Sequence, residues 1–309
     1  MIIRTLIFLA LAATAFAQGQ IHLKDGRVIN TKQMRRDKDT IIATVELPPQ
    51  KPGGPTSTGQ FGFALGDIAT LQFGKPSALD TAPALIAEGK AEEALEQLRP
   101  IIRFYEGFQD APGSWWVDAV PLQIQGLLAL RREQEAAEAA EKFSNLASDP
   151  ENKKLTRIFT AVALTRKGQH EGALRLYAEG LKSTKRLDLL GLIAVNRGDS
   201  LVALGDDLKK KGEVEQASVR YEEALLSYLK VPALFPSQRM YLPQAFLGAA
   251  RAYLGFEDFP RAREMIKELK ENFAATMEAK EADAVAELVD QREKQLADPQ
   301  AKNLEQPSA

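Results

Sequence analysis

Cysteine is absent from this 309-residue chain. That excludes disulfides, thiolate-bound zinc, iron–sulfur clusters and cysteine nucleophiles together. Histidine, the commonest catalytic and metal-binding side chain near neutral pH, occurs only as His22 and His170. Charge of one sign is lacking too: 40 Lys and Arg against 42 Asp and Glu leave a formal net charge of −2. Such a balance gives no electrostatic reason for nucleic acid or an anionic membrane to be the main ligand. Aromatics make up 7% of the residues, with two tryptophans. Past the N-terminus no apolar run is long enough to cross a bilayer. The patterns H-E-x-x-H, G-x-S-x-G and G-x-x-x-x-G-K-S/T do not occur, and no carboxylate pair is placed by sequence across a cleft for acid–base work. The expectation is a protein that is not an enzyme, with no cofactor and no metal site.

The N-terminus carries an export signal. Arg4 supplies the positive charge, Leu6 to Phe16 the short apolar run, and Ala15-Phe16-Ala17 a small-residue cleavage motif. Residues 1–17 are therefore expected to be a signal peptide, with the mature chain starting at Gln18. No cysteine follows, so a lipoprotein anchor is excluded. The expected product is exported, soluble, and periplasmic or secreted.

Residues 18–76 read as β-structure. Ile21, Leu23, Val28 and Ile29 flank Asp25-Gly26, a strong hairpin signal. Thr40 to Leu47 is β-branched and is entered through the polar turn Asp37-Lys38-Asp39. Phe61–Leu65 and Ile68–Phe73 are two more short strands, separated by Gly66-Asp67. Between them and Leu47 runs a Pro/Gly-rich loop, Pro48–Gln60, either a flexible binding loop or a tolerated insertion. Five short strands predict a small barrel-like domain, and Lys75-Pro76-Ser77 marks its boundary.

From 78 onward the chain is rich in Ala, Leu, Glu, Lys and Arg, which favours helix. One spacing recurs. Gly205, Leu208, Gly212, Val214, Ala217, Tyr221 and Ala224 have counterparts at Ala161–Gly180, Ala250–Leu269 and Ala82–Ile101. Each set predicts two helices joined by a tight turn, with a small residue of the first facing an alanine of the second. A further copy lies between them, with Ile124, Leu127, Ala136, Ala140 and Phe143 in apolar places. Arg131 and Glu133 replace its turn residues, so its register is ambiguous by one residue. Successive alanines 94, 136, 173, 217 and 262 lie 42, 37, 44 and 45 residues apart, beyond the usual period of about 34, so helices or loops must be extended. Pro232 and Pro236 predict a loop within Leu229–Tyr241. A last helix, within 274–297, has Ala282, Val285, Leu288 and Val289 on an apolar stripe suited to capping the array. The polar tail 298–309 is expected to be disordered.

The repeat pattern of residues 78–273 resembles the tetratricopeptide repeat (TPR), a helix–turn–helix unit that stacks into a superhelix. The segment I-H-L-K-D-G-R-V-I with A-L-G-D-I-A-T-L-Q-F is similar to the small SH3- or Sm-like β-barrels of some exported bacterial proteins. Together these imply a mainly α fold preceded by a small all-β domain, and a protein–protein adaptor or scaffold of the bacterial cell envelope. The partner would be a protein or peptide in the groove, not nucleic acid. A self-associating structural component, and an accessory subunit recruiting substrate to an enzyme, are the alternatives.

The family register puts Arg166, Asp206, Lys209, Gln244 and Arg251 on or near the groove. Val162, Asp206 and Arg251 stand where the clamp for acidic chaperone tails has asparagine, so that ligand is not implied. Ser114 is a plausible N-cap for a helix opened by Trp115 and Trp116. The two indoles either pack between repeats or anchor a partner, displayed by the loop Gly107–Gly113. His170, at a turn position filled by Val214 and Phe259 in other repeats, reads as a packing residue.

Overall fold

The computed structural model describes residues 19–49, 54–146 and 150–297. The proposed signal peptide 1–17 and the tail 298–309 lie outside the described residues.

Among the described residues six strands come first: β1 Gly19–Leu23, β2 Val28–Thr31, β3 Gln33–Asp37, β4 Thr40–Leu47, β5 Ser57–Ala64 and β6 Ile68–Phe73. They form two antiparallel three-stranded sheets, ordered β2-β1-β6 and β3-β4-β5. β2 and β3 follow each other across Lys32, whose amide donates to the Thr44 carbonyl at 2.8 Å. Ile21, Met34, Ile41, Ala43, Ile68, Leu71 and Phe73 are buried as the shared core.

Two β expectations are corrected. β3 is an additional strand. Gln33-Met34-Arg35-Arg36-Asp37 has one apolar residue and no period-2 signal, and its ladder to β4, from Gln33↔Thr44 to Asp37↔Thr40, makes it a strand. The Pro/Gly-rich segment is shorter than expected, because β5 begins at Ser57, paired with Leu47. Of that segment, residues 50–53 lie outside the described residues.

Eleven α-helices follow among the described residues: α1 Ala78–Ala87, α2 Ala91–Tyr105, α3 Trp116–Ala129, α4 Glu133–Leu146, α5 Pro150–Arg166, α6 His170–Ser183, α7 Leu187–Lys210, α8 Val214–Leu234, α9 Leu242–Gly255, α10 Phe259–Phe273 and α11 Met277–Ala297. The first ten make five antiparallel hairpins in a TPR-like arrangement. At every hairpin turn one residue is left-handed: Gly89, Arg131, Gly168, Gly212 and Glu257, with φ of 76°, 58°, 73°, 82° and 64°. This fixes the register of the second hairpin, with Arg131 as its turn residue. A non-glycine there costs about 1–2 kcal/mol, and both exceptions have their side chains in ion pairs.

The small positions of the repeat and those that follow them on the second helix are buried in all five hairpins, as in Ala82/Ala94/Leu98, Ile124/Ala136/Ala140 and Ala250/Ala262/Ile266, whereas Leu85, Leu164, Leu208 and Tyr253 are half-buried and Val214 at its turn is exposed. At Gly205 the room left by the missing side chain is taken by the Tyr221 ring, 2.7 Å from where a Cβ would stand. The long steps late in the chain come from extended helices, α7 with 24 residues and α8 with 21. α8 runs through Pro232 to Leu234, so the expected loop contracts. Pro232 lies in the last turn, where losing one N–H leaves the rest of the ladder intact, and Val231 is fully buried beside it.

α11 is capped by Thr276, whose hydroxyl accepts from the Ala279 amide at 3.2 Å. Ala282, Val285 and Val289 are buried, whereas Leu288 is 52% exposed. That corrects the expected stripe: Leu288 is off the i, i+3, i+7 line of the other three and faces the groove described below.

The array also closes on itself. α1 packs against the 3₁₀ turn Arg239–Tyr241 that precedes α9. A Cβ on Gly89 would stand 2.4 Å from the Ala275 carbonyl oxygen, so the first hairpin turn meets the chain entering α11. Arg186 before α7 reaches Asp118 on α3 at 3.3 Å. Solenoid repeats ordinarily touch only their neighbours; here the first hairpin also meets the last part of the array, and the inner face carries an open cleft.

Candidate functional site

The inner cleft is built on α7. Asn196, Asp199 and Asp206 project from it at roughly one-turn and two-turn spacings. Asp199 is the hub. Its carboxylate accepts from Arg166 Nη2 at 2.9 Å, Tyr228 Oη at 2.8 Å and Gln244 Nε2 at 2.8 Å. Arg166 also donates to Asn196 Oδ1 at 2.6 Å and lies 3.2 Å from Glu133. Burial disfavours the Arg166 charge, but Asp199 and Glu133 outweigh it, and its pKa stands above the ordinary arginine value. The cleft around this cluster has a volume of about 430 Å³ and is walled also by Arg131, His170, Arg251 and Glu281.

Along α7 and α11 the cleft runs into a wider groove of about 720 Å³. Its floor is apolar, with Val202, Leu254, Val285 and Leu288. Its rim carries both signs. Arg251 pairs with Glu281 at 2.9 Å, and Glu257 with Arg292 at 2.9 Å and Lys209 at 3.5 Å. Asp206 accepts from Tyr221 Oη at 2.7 Å, and Lys209 donates to the Gly255 carbonyl at 3.1 Å. Arg131 binds Glu281 and stands 3.5 Å from Glu278. Burial raises the Glu278 carboxyl above its ordinary range. The Glu281 carboxyl, which burial would also raise, is held below it by Arg131 and Arg251.

The structure therefore brings Arg166, Asp206, Lys209, Gln244 and Arg251 to one surface, and each has an internal partner there. Asp199, Tyr228 and Glu281 belong to the same surface and were not singled out from sequence. A signal existed: Asn196, Arg197, Asp199 and Ser200 interrupt an apolar stretch of α7, and buried polar groups require partners.

The tryptophans lie elsewhere. Ser114 Oγ accepts from the Trp116 amide at 3.2 Å, but α3 opens one residue later than expected, at Trp116, with Trp115 in the N-cap position. Trp116 is 3% exposed and stacks on Phe143 at 5.1 Å. Trp115 is half-buried, and its Nε1 donates to the Phe73 carbonyl at 3.3 Å. The loop before them docks on the β-domain: the Leu71 amide donates to the Pro112 carbonyl at 2.7 Å, and Arg36 forks onto Asp110 at 2.7 and 3.2 Å. This packing joins the β-domain to the hairpins, and an anchoring role for either indole would require it to open. His170 opens α6 beside Arg166, its pKa lowered by burial and its Nδ1 buried without a hydrogen bond. His22 meets Gln72 at 3.0 Å on the exposed face of β1 and β6.

Five tyrosines make this interior sensitive to alkali. Burial holds Tyr105, Tyr177, Tyr221, Tyr228 and Tyr241 above the ordinary pKa of 10.0. In the unfolded chain they ionise near 10, so their contribution is complete below that pH and is lost above it. Each removes about 1.4 kcal/mol of stability per pH unit above 10. Tyrosinate absorbance followed through an alkaline titration should show these five appearing together with loss of helical circular dichroism, not before it.

Among the described residues no helix is long and apolar enough to cross a membrane, and no group of three His, Asp or Glu side chains is placed to hold a metal ion. No family model matches the chain. No curated protein matches it. A solved structure, a crystal structure of nearly identical TPR-like repeats of a Podosopora anserina kinesin light chain, is similar over 63% of this chain and 92% of that one, at 16% identity and a TM-score of 0.36.

Proposed function

We propose that this protein is a non-enzymatic adaptor that holds a segment of a partner protein in the groove between α7, α9 and α11. The observation that carries this reading is the union of an apolar floor and a charged rim on the inner face of a TPR-like array. Val202, Leu254 and Leu288 offer burial, while Asp206, Lys209, Arg251 and Arg292 offer directional polar contacts. Helix-in-groove and extended-peptide recognition both use this combination. The internal pairing of the rim limits the partner's chemistry: it must exchange ion pairs, so a segment carrying both charge signs fits better than a purely acidic one.

The reading includes export. The first described strand starts at Gly19, two residues after the proposed cleavage at Ala17. N-terminal mass spectrometry of the protein from its own cells should give Gln18 as first residue; an intact Met1 would remove export from the account.

The groove itself is tested by crosslinking pull-down with the chain from Gln18 as bait. A distinct protein recovered with the wild type should be lost with Leu288→Asp and with the Asp206→Ala, Lys209→Ala, Arg251→Ala triple variant. Equal recovery with all three baits would place the partner off the groove.

A further inference from the structure

The strand β5 is unlike the other edges of the β-domain. β6 is closed on its outer side by Pro112, β3 carries Arg35, Arg36 and Asp37, and β2 has four residues. β5 has eight residues, ends its sheet, and no described residue hydrogen-bonds to its outer edge. From Gly54 to Gly66 no residue is charged. Natural edge strands are ordinarily blunted by charge, proline or shortness, because open backbone groups pair with whatever strand approaches. β5 has none of these, and Phe61 on it is 43% exposed.

The order of side chains on β5 says what approaches. Phe61 and Phe63 sit opposite Ala43 and Ile41, so odd-numbered residues share the sheet face of those two and even-numbered residues the other; Phe63 is half-buried there, while Phe61 stands exposed beyond the core. Place a second β5 antiparallel beside the first, about a two-fold axis at Phe61. Phe63 then lies opposite Gly59 of the other copy, Gln60 opposite Gly62, and Thr58 opposite Ala64. Each pair sets a larger residue against a smaller one, and no like charges meet. Phe61 already leans over its own Gly59, where a Cβ would stand 2.9 Å from its ring. The incoming Phe63 therefore meets an aromatic edge, a pairing favoured in antiparallel sheets. An uncharged strand attracts no charged partner, whereas it matches itself.

We propose that β5 is a self-pairing edge: two copies of this chain join β5 to β5 into one continuous sheet, three strands from each. The inference is independent of the groove. It makes the protein two-headed, with two grooves carried on a joined pair of β-domains, so a weak groove contact gains avidity when partner segments are linked.

The test uses the full mature chain. Light scattering over a dilution series should give twice the chain mass at high concentration, falling to the single mass on dilution. Phe61→Lys puts like charges at the two-fold axis and should give the single mass throughout, with unchanged circular dichroism and melting. Gln60→Lys, on the outward face, serves the same purpose if Phe61→Lys fails to fold. Because the chain has no cysteine, any disulfide between protein thiols in Phe61→Cys must join two copies, the mixed disulfide with glutathione leaving the chain single. Oxidised glutathione should convert it to covalent dimer, while Val219→Cys, exposed on α8, stays single. Thr58→Cys should crosslink when mixed with Ala64→Cys and not alone. A wild type of single mass at every concentration overturns the proposal. So does a dimer that survives both lysine variants, or Phe61→Cys crosslinking no faster than Val219→Cys.

Discussion

Gly248→Ala is expected to destabilise the protein by about 3 kcal/mol, the upper end of the usual cost of overpacking. A Cβ there would stand 2.2 Å from the Tyr228 ring, and the ring has nowhere to go. On its other side the missing Cβ of Gly198 leaves only 2.5 Å, and the hydroxyl is tied to Asp199. A flexible side chain would yield; a flat ring between two helix backbones does not, so α9 must move away from α7. Urea unfolding should show the lowered midpoint. Tyr228→Leu in the same chain should recover part of the loss, because a branched aliphatic side chain can retreat, whereas Tyr228→Phe should recover none. Additive costs for Gly248→Ala and Tyr228→Leu would mean that the two residues do not meet.

Asp199→Ala is expected to cost about 3 kcal/mol, as for removing one partner of a buried ion pair. Arg166, whose side chain is 15% exposed, would lose its shortest carboxylate contact, and the Tyr228 hydroxyl and Gln244 amide would lose their acceptor. Asp199→Asn should cost less, since its amide oxygen still accepts from Tyr228. Asp199→Ala with Arg166→Met should be more stable than Asp199→Ala alone, because no uncompensated charge remains. A neutral Asp199→Ala would mean that water reaches the cluster freely and that the cleft is not a protected interior. Chemical denaturation of the three variants beside the wild type at neutral pH decides it.

Much of this architecture was legible in the sequence, because the repeat writes its packing as a fixed spacing of small and apolar residues. The strand Thr40–Leu47, the strand Ile68–Phe73 and the five hairpins emerge where local pattern and tertiary burial agree. β3 was not legible, since pairing with β4 makes Gln33–Asp37 a strand against its own polarity. Leu288 sits on a different face of α11 from Ala282, Val285 and Val289, and apolar character alone does not separate the two faces. The candidate groove residues Arg166, Asp206, Lys209, Gln244 and Arg251 came from the register of first helices. The hub Asp199 did not, as it lies in the extended part of α7 beyond the ordinary repeat. Closure of the array is a long-range matter: the contact of Gly89 with Ala275, and that of Arg131 with α11, leave no periodic mark in the chain.

The central claim is that the inner groove takes a partner segment. A photo-crosslinking residue placed at Leu288, on the groove floor, tests it most directly against one at Leu226, 60% exposed on the outer side of α8. Irradiation in the native cells should give a discrete adduct with a second protein from position 288 and none from position 226. Adducts only from position 226, or the same adducts from both, would contradict the groove and move recognition to the outer surface.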